Sequence, residues 1–83
     1  LEQERWNDPI RVGAVFYGGN IRPVWFEWRG IRYNIVRVTY SWEDRQGMRP
    51  LRCFAVSDGV NIFEICFDAQ FSEWRIKGSY SSG

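Results

Sequence analysis

The feature that most limits what this chain can become is the spacing of its apolar residues. No stretch carries a sustained 3.6-residue period; β-branched and aromatic residues sit instead in short runs divided by Gly, Asp, Asn and Pro. That is the pattern of an all-β protein. Six strands are predicted, at about 11–17, 21–29, 31–42, 51–57, 60–67 and 71–77. They are joined at Gly18-Gly19-Asn20, Arg29-Gly30, the charged stretch Glu43–Pro50, Asp58-Gly59 and Asp68-Ala69-Gln70. Only Glu43–Pro50 is too long for a tight hairpin, so the simplest architecture is a six-stranded antiparallel meander.

The third predicted strand says how that sheet bends. Ile31, Tyr33 and Ile35 alternate with Arg32 and Asn34; then the phase flips, and Val36, Val38, Tyr40 and Trp42 alternate with Arg37, Thr39 and Ser41. A β-bulge near Ile35–Val36 would absorb the extra residue, keep one face apolar and leave Arg32, Asn34, Arg37, Thr39 and Ser41 outside. A long strand bulged at its midpoint implies a strongly curled sheet or small barrel. A two-residue Arg29-Gly30 turn then sets Trp28 opposite Ile31, Phe26 opposite Tyr33 and Val24 opposite Ile35, all inward. Glu27 falls opposite Arg32, and Trp25 falls opposite Asn34 on the outer side; Pro23, with no N–H to give, suits a strand end or an edge.

In the 51–67 hairpin two registers stay open. A two-residue Asp58-Gly59 turn pairs Phe54 with Phe63, whereas a type I turn with a Gly59 bulge pairs Arg52 with Glu64 and Cys53 with Phe63. Phe63, Ile65 and Phe67 face inward in both, as do Trp74 and Ile76 in the last strand. Neither register sets Cys53 opposite Cys66. The expectation is therefore two half-buried thiols in a reducing cytoplasm.

At 83 residues the chain makes one domain, expected over 9–77 with flexible ends at 1–8 and 78–83. A chain this small buries only roughly 60% of its unfolded surface, so its core must be efficient. Five Trp, four Tyr and six Phe supply it. Balanced charge, eleven basic residues against ten acidic, excludes disorder, and no run of about 18 apolar residues could form a membrane-spanning helix.

The residues that could carry chemistry are few. The chain has no His, which removes the commonest general base and metal ligand, and its two cysteines lack the C-x-x-C spacing of a zinc site. Ser57-Asp58 reads as turn chemistry with no base in reach, and Glu43-Asp44 has no third carboxylate for a cation. Gly18-Gly19-Asn20 precedes no helix, so it is no phosphate loop. Glu27, Glu64 and Glu73 sit beside or opposite Arg and are expected to pair across the sheet. No enzyme activity, cofactor or metal is expected.

Two blocks carry a resemblance. One is Pro9-Ile10-x-Val12 followed by Pro23-x-x-Phe26-x-Trp28-Arg29-Gly30-x-x-Tyr33, with Val38 and Trp42 beyond it; the other is Val60-x-x-Phe63-Glu64-Ile65-x-Phe67-Asp68, then Trp74-x-Ile76. Over about residues 9–77 the chain resembles a family of small uncharacterised bacterial proteins with F-x-W-R-G-x-x-Y and F-[DE]-[IL]-x-F-D…W blocks. It departs from that pattern at Asn61 and Ile62, which lengthen the step from Val60 to Phe63. The resemblance implies a bacterial, intracellular domain and carries over no functional residue.

Binding is the function class that survives. Ten of the eleven basic residues are Arg, and an Arg-plus-aromatic surface can recognise a partner. The candidate surface is Trp25, Arg29, Arg32 and Arg37. The expected role is a non-catalytic protein-interaction or self-association module, a homodimer or a docked protein covering the open edges and surplus aromatics. The alternative is a single-stranded nucleic-acid-binding module that uses the same Trp/Arg face. A net charge of +1 disfavours that alternative, and no membrane partner is expected.

Overall fold

The computed structural model describes residues 2–81. It is all-β, with seven strands: β1 (Glu2–Tyr17), β2 (Asn20–Trp28), β3 (Ile31–Asn34), β4 (Arg37–Gln46), β5 (Arg49–Ser57), β6 (Asn61–Asp68) and β7 (Glu73–Ser81). They form one antiparallel sheet in the order β3-β2-β1-β7-β6-β5-β4. The long first strand serves two neighbours, pairing with β7 through Glu2–Ile10 and with β2 through Arg11–Tyr17. Residues 2–8 and 78–81 therefore lie in strands where flexible ends were expected, because the β1–β7 ladder continues out to Glu2 opposite Ser81. Residues 1, 82 and 83, the remainder of those ends, lie outside the described residues.

The six-stranded curled or barrel form is corrected in two ways. The predicted 31–42 strand is two strands, and the hydrogen-bonded sheet is not closed, since no ladder joins β3 to β4. At Ile35–Val36 there is no bulge. The chain changes partner instead: Ile35 N donates to Val24 O on β2, and the next amide, Val36 N, donates to Ser57 O on β5. The bulge lies further on, between Val38 and Tyr40, where Thr39 drops out of register and its Oγ1 donates to Ala55 O at 3.1 Å. One extra residue reverses every later side chain. Val38 stays with the core, whereas Tyr40 and Trp42, expected inside, turn to the outer face opposite Ala55 and Cys53.

The β2–β3 register is the expected one: Trp28 opposite Ile31, Glu27 opposite Arg32, Phe26 opposite Tyr33 and Trp25 opposite Asn34. Ile31 shares the inner face with Trp28 and Tyr33 but stays exposed at its rim. Pro23 is not at an edge; it is fully buried within β2, opposite Ala14, where a register shift bulges out Val24 and tolerates a residue without an N–H. The Glu43–Pro50 loop is also absent. β4 runs on to Gln46, which pairs with Arg49, and only Gly47 and Met48 turn, with Gly47 at φ 62°.

The core collects the inner face of every strand. Phe26, Trp28, Phe54, Val56, Phe63, Ile65, Trp74 and Ile76 form its buried centre. Tyr33 stacks on Phe26 at 4.8 Å between ring centroids, and both rings meet Phe63 of β6 at 5.1 Å. Residues from the β3–β2 end of the sheet thus share one core with residues from β6.

Candidate interaction surface

In the β5–β6 hairpin neither open register holds. Phe54 pairs with Ile65, Val56 with Phe63 and Ser57 with Ile62, which leaves 58–60 as the loop before β6 begins at Asn61. Asp58 makes that longer loop: its Oδ1 accepts from Val60 N at 2.9 Å and Asn61 N at 2.7 Å, and Ser57 Oγ accepts from Gly59 N at 3.0 Å. Ser57 and Asp58 are thus occupied as turn caps. The same register sets Cys53 opposite Cys66 with Cα atoms 4.1 Å apart, and the two form a disulfide. The expectation of free thiols is overturned. The bond belongs to a second apolar cluster on the outer face, where Leu51 and both cysteines are buried and Trp42 packs on them.

Of the four residues expected as one binding surface, Trp25 and Arg32 are in contact, whereas Arg29 makes its contacts elsewhere. Trp25 is half-buried, because its indole lies over Gly13 of β1, the residue directly opposite, where only the missing Cβ leaves room for it. Arg32 stacks on that indole, with its guanidinium carbon 4.0 Å from the ring centroid. These two are together. Arg29 belongs elsewhere: its guanidinium sits 4.4 Å from the Trp28 ring centroid and 5.9 Å from that of Trp6, and its Nη2 donates to Asp8 Oδ2 at 3.3 Å. The same carboxylate oxygen accepts from Trp28 Nε1 at 3.0 Å. These contacts anchor the Arg29-Gly30 turn, in which Arg29 takes a left-handed φ of 54°. Arg37 starts β4, just beyond the end of β3 at Asn34, and is exposed. The aromatic faces wanted for base stacking are therefore already covered by the chain's own arginines.

All three glutamates pair with arginine, Glu27 and Glu64 with a residue of another strand as expected, but Glu73 with Arg75 on its own strand rather than across the sheet. Arg11 Nη1 reaches Glu27 at 3.0 Å, Arg5 Nη1 reaches Glu64 at 3.3 Å and Arg75 Nε reaches Glu73 at 3.0 Å. The hydrogen bond to Glu64 raises the Arg5 guanidinium further above its ordinary value. On the outer face beside the disulfide is a polar cleft of about 160 Å³, bordered by Arg49, Leu51, Cys66, Asp68, Arg75 and Lys77. Its charges answer one another. Arg49 Nε donates to Asp68 Oδ2 at 2.8 Å, Arg75 Nη1 donates to Asn7 O at 2.8 Å, and Lys77 Nζ donates to Asn7 Oδ1 at 2.8 Å. Burial pushes the Asp68 carboxyl up, but its bonds from Arg49 and from the Gln70 and Phe71 amides outweigh that and hold it below the usual carboxylate value. Among the described residues no three His, Cys, Asp or Glu side chains gather as a metal set.

Sequence reasoning missed an exposed aromatic edge. β4 pairs with β5 and, among the described residues, with no other strand. Tyr40 stands on this ten-residue edge with 66% of its surface exposed and stacks on Trp42 at 5.6 Å between centroids. Elsewhere Phe16, edge-on to Phe67 at 5.8 Å, lines an open apolar groove with Tyr17 and Ile21 at the β1–β2 turn. The phase flip in residues 35–42 signals an extra residue in this segment, and the structure places that residue at Thr39.

Fold and surface together define the class: an all-β antiparallel domain with a disulfide across neighbouring strands and one long unpaired edge. No helix among the described residues is long and apolar enough to cross a membrane. Comparison of the chain with protein-family models, with curated proteins and with solved structures gives no match.

Proposed function

We propose that the chain is a non-catalytic protein-interaction module that receives a partner's strand along β4. The observation that carries this reading is the ten-residue β4 edge, hydrogen-bonded on one side only and carrying exposed Tyr40. An unpaired edge offers a row of N–H and C=O groups to any extended chain, and aromatic residues beside it supply contact area. β4 is long and has neither Pro nor Lys; its bulge lies near its start, at Thr39, and its charges are Arg37, Glu43, Asp44 and Arg45. Support for the nucleic-acid alternative is reduced, because Arg32 and Arg29 stack on Trp25 and Trp28 of the chain itself. The Cys53–Cys66 bond further supports a compartment that retains disulfides, in place of the cytoplasm.

Light scattering after size exclusion, at low and high salt with and without a short oligo-dT, tests the choice. The interaction reading expects no oligonucleotide complex at either salt. A complex that forms at low salt, fades as salt rises and is abolished by Arg32→Glu and Trp25→Ala overturns it.

A further inference from the structure

We infer that the partner received by β4 is a second copy of this chain, paired antiparallel about a two-fold axis through Ser41; this rests on the strand-addition reading above. The inference starts from which face each β4 residue occupies. Arg37, Tyr40, Trp42 and Asp44 lie opposite Ser57, Ala55, Cys53 and Leu51. Those β5 positions alternate with Phe54 and Val56, which point into the core, so all four β4 residues project from the outer face. Thr39 is the bulged residue and is not counted in the register.

With Ser41 set against its own counterpart, Tyr40 falls opposite Trp42 of the second copy, and Arg37 falls opposite Asp44 of the second copy. The symmetry repeats each pair once more. Every outer residue thereby meets an outer residue, and Val38 meets Glu43 on the other side. A shift of one position would set outer residues against inner ones along the whole edge. A shift of two would take Asp44 away from Arg37 and leave each without an opposite charge. One register satisfies face, charge and aromatic pairing at the same time.

The charges are available for it. Among the described residues neither Arg37 nor Asp44 has an ion pair, whereas Glu27, Glu64, Asp68 and Glu73 all do. Among the described residues the Asp44 carboxylate accepts only from the neighbouring Arg45 N, at 2.8 Å. Both side chains are exposed and can be exchanged without disturbing the core. The two-fold also sets both outer faces on one side of a doubled sheet and brings two Tyr40–Trp42 stacks to its centre.

Sedimentation equilibrium on the full chain up to millimolar concentration, with hydrogen exchange on the same samples, provides the test. The expected result is a monomer–dimer equilibrium in which β4 amides gain protection as concentration rises. Arg37→Asp and Asp44→Arg should each weaken the dimer about tenfold or more, since each sets like charges opposite twice, and the double variant should return to within about threefold of the parent. Near-ultraviolet circular dichroism confirms that each variant is folded. A mass that stays at 9.9 kDa throughout overturns pairing between copies while leaving β4 open to another protein. A dimer that protects β4 but ignores both charge reversals overturns the register. A dimer whose β4 amides stay unprotected overturns both the inference and the strand-addition reading beneath it.

Discussion

Gly13→Ala isolates one packing device in this sheet. Gly13 lies opposite Trp25, whose indole covers it; a Cβ added there would run into Nε1 and Cε2 of the ring and lie 2.8 Å from Cδ1. The obstacle is a rigid ring held on its far side by Arg32, with the guanidinium 4.0 Å from the centroid, so the indole must leave its site. Forcing an extra carbon into a filled site costs about 1–3 kcal/mol. Breaking an exposed cation–π stack adds about 0.5–1 kcal/mol. Ala in place of Gly within a strand returns about 0.5–1 kcal/mol. The net is a destabilisation of about 2 kcal/mol, or a fall in Tm of about 8–16 °C for a domain of this size. Urea and thermal unfolding followed by circular dichroism would measure it. The decisive comparison is the same substitution in a Trp25→Ala background, where the obstacle is gone and Gly13→Ala should be neutral or stabilising by about 0.5 kcal/mol. Equal costs in the two backgrounds, or a change under about 0.5 kcal/mol in the parent, would refute the overlay as the reason for this glycine.

Three further outcomes are expected. Denatured protein should show no titratable thiol before reduction and two after it, and reduction should lower stability by about 2–3 kcal/mol, the value for a closed loop near the 13-residue separation of Cys53 and Cys66. Because the Asp68 carboxyl is held below its ordinary value in the fold, its contribution is present above that value and is lost as pH falls through the folded one; the urea midpoint should therefore drop more steeply from about pH 5 to about pH 2 in the parent than in Asp68→Asn. Asp58→Ala removes the acceptor for two backbone amides in the β5–β6 loop and should cost about 1–2 kcal/mol in urea unfolding, whereas Glu43→Ala, on an exposed residue, should change stability by less than about 0.5 kcal/mol.

What the sequence made legible followed from local rules. Alternation identified the strands, and the two-residue Arg29-Gly30 turn fixed the β2–β3 register down to Trp25 opposite Asn34. The arginine partners of Glu27, Glu64 and Glu73 were legible as a class, although Glu27 bridges to Arg11 on β1 and not to Arg32 opposite it. What failed depended on side-chain bonds that periodicity does not carry. Asp58 binds two amides and lengthens its loop to 58–60, with Ser57 paired to Ile62, and that shift alone sets Cys53 opposite Cys66. Trp25 is a comparable case: outward direction was legible, but the cover provided by Gly13 and Arg32 comes from strand neighbours and a stacking contact.

The bulge at Thr39 ties the fold to the proposed interaction edge more closely than any single contact. Before it, Val38 packs on the core opposite Val56; after it, Tyr40 and Trp42 lie on the other face, where Trp42 packs with Leu51 and the disulfide. Without the extra residue the two aromatics would compete for a core that Phe54, Val56 and Phe63 already fill, and the outer cluster would lose its lid. Bulges commonly protect an edge by twisting it away from would-be partners. Here the ladder with β5 resumes after Thr39 and runs without interruption from Tyr40 to Gln46, so the edge stays extended beyond the bulge. The same insertion that relieves the core thus places two aromatic rings and the Asp44 carboxylate along an unpaired strand that begins with Arg37. A solvated edge would gain nothing from that arrangement, whereas an edge that meets a strand of its own kind gains a complete set of cross-strand pairs.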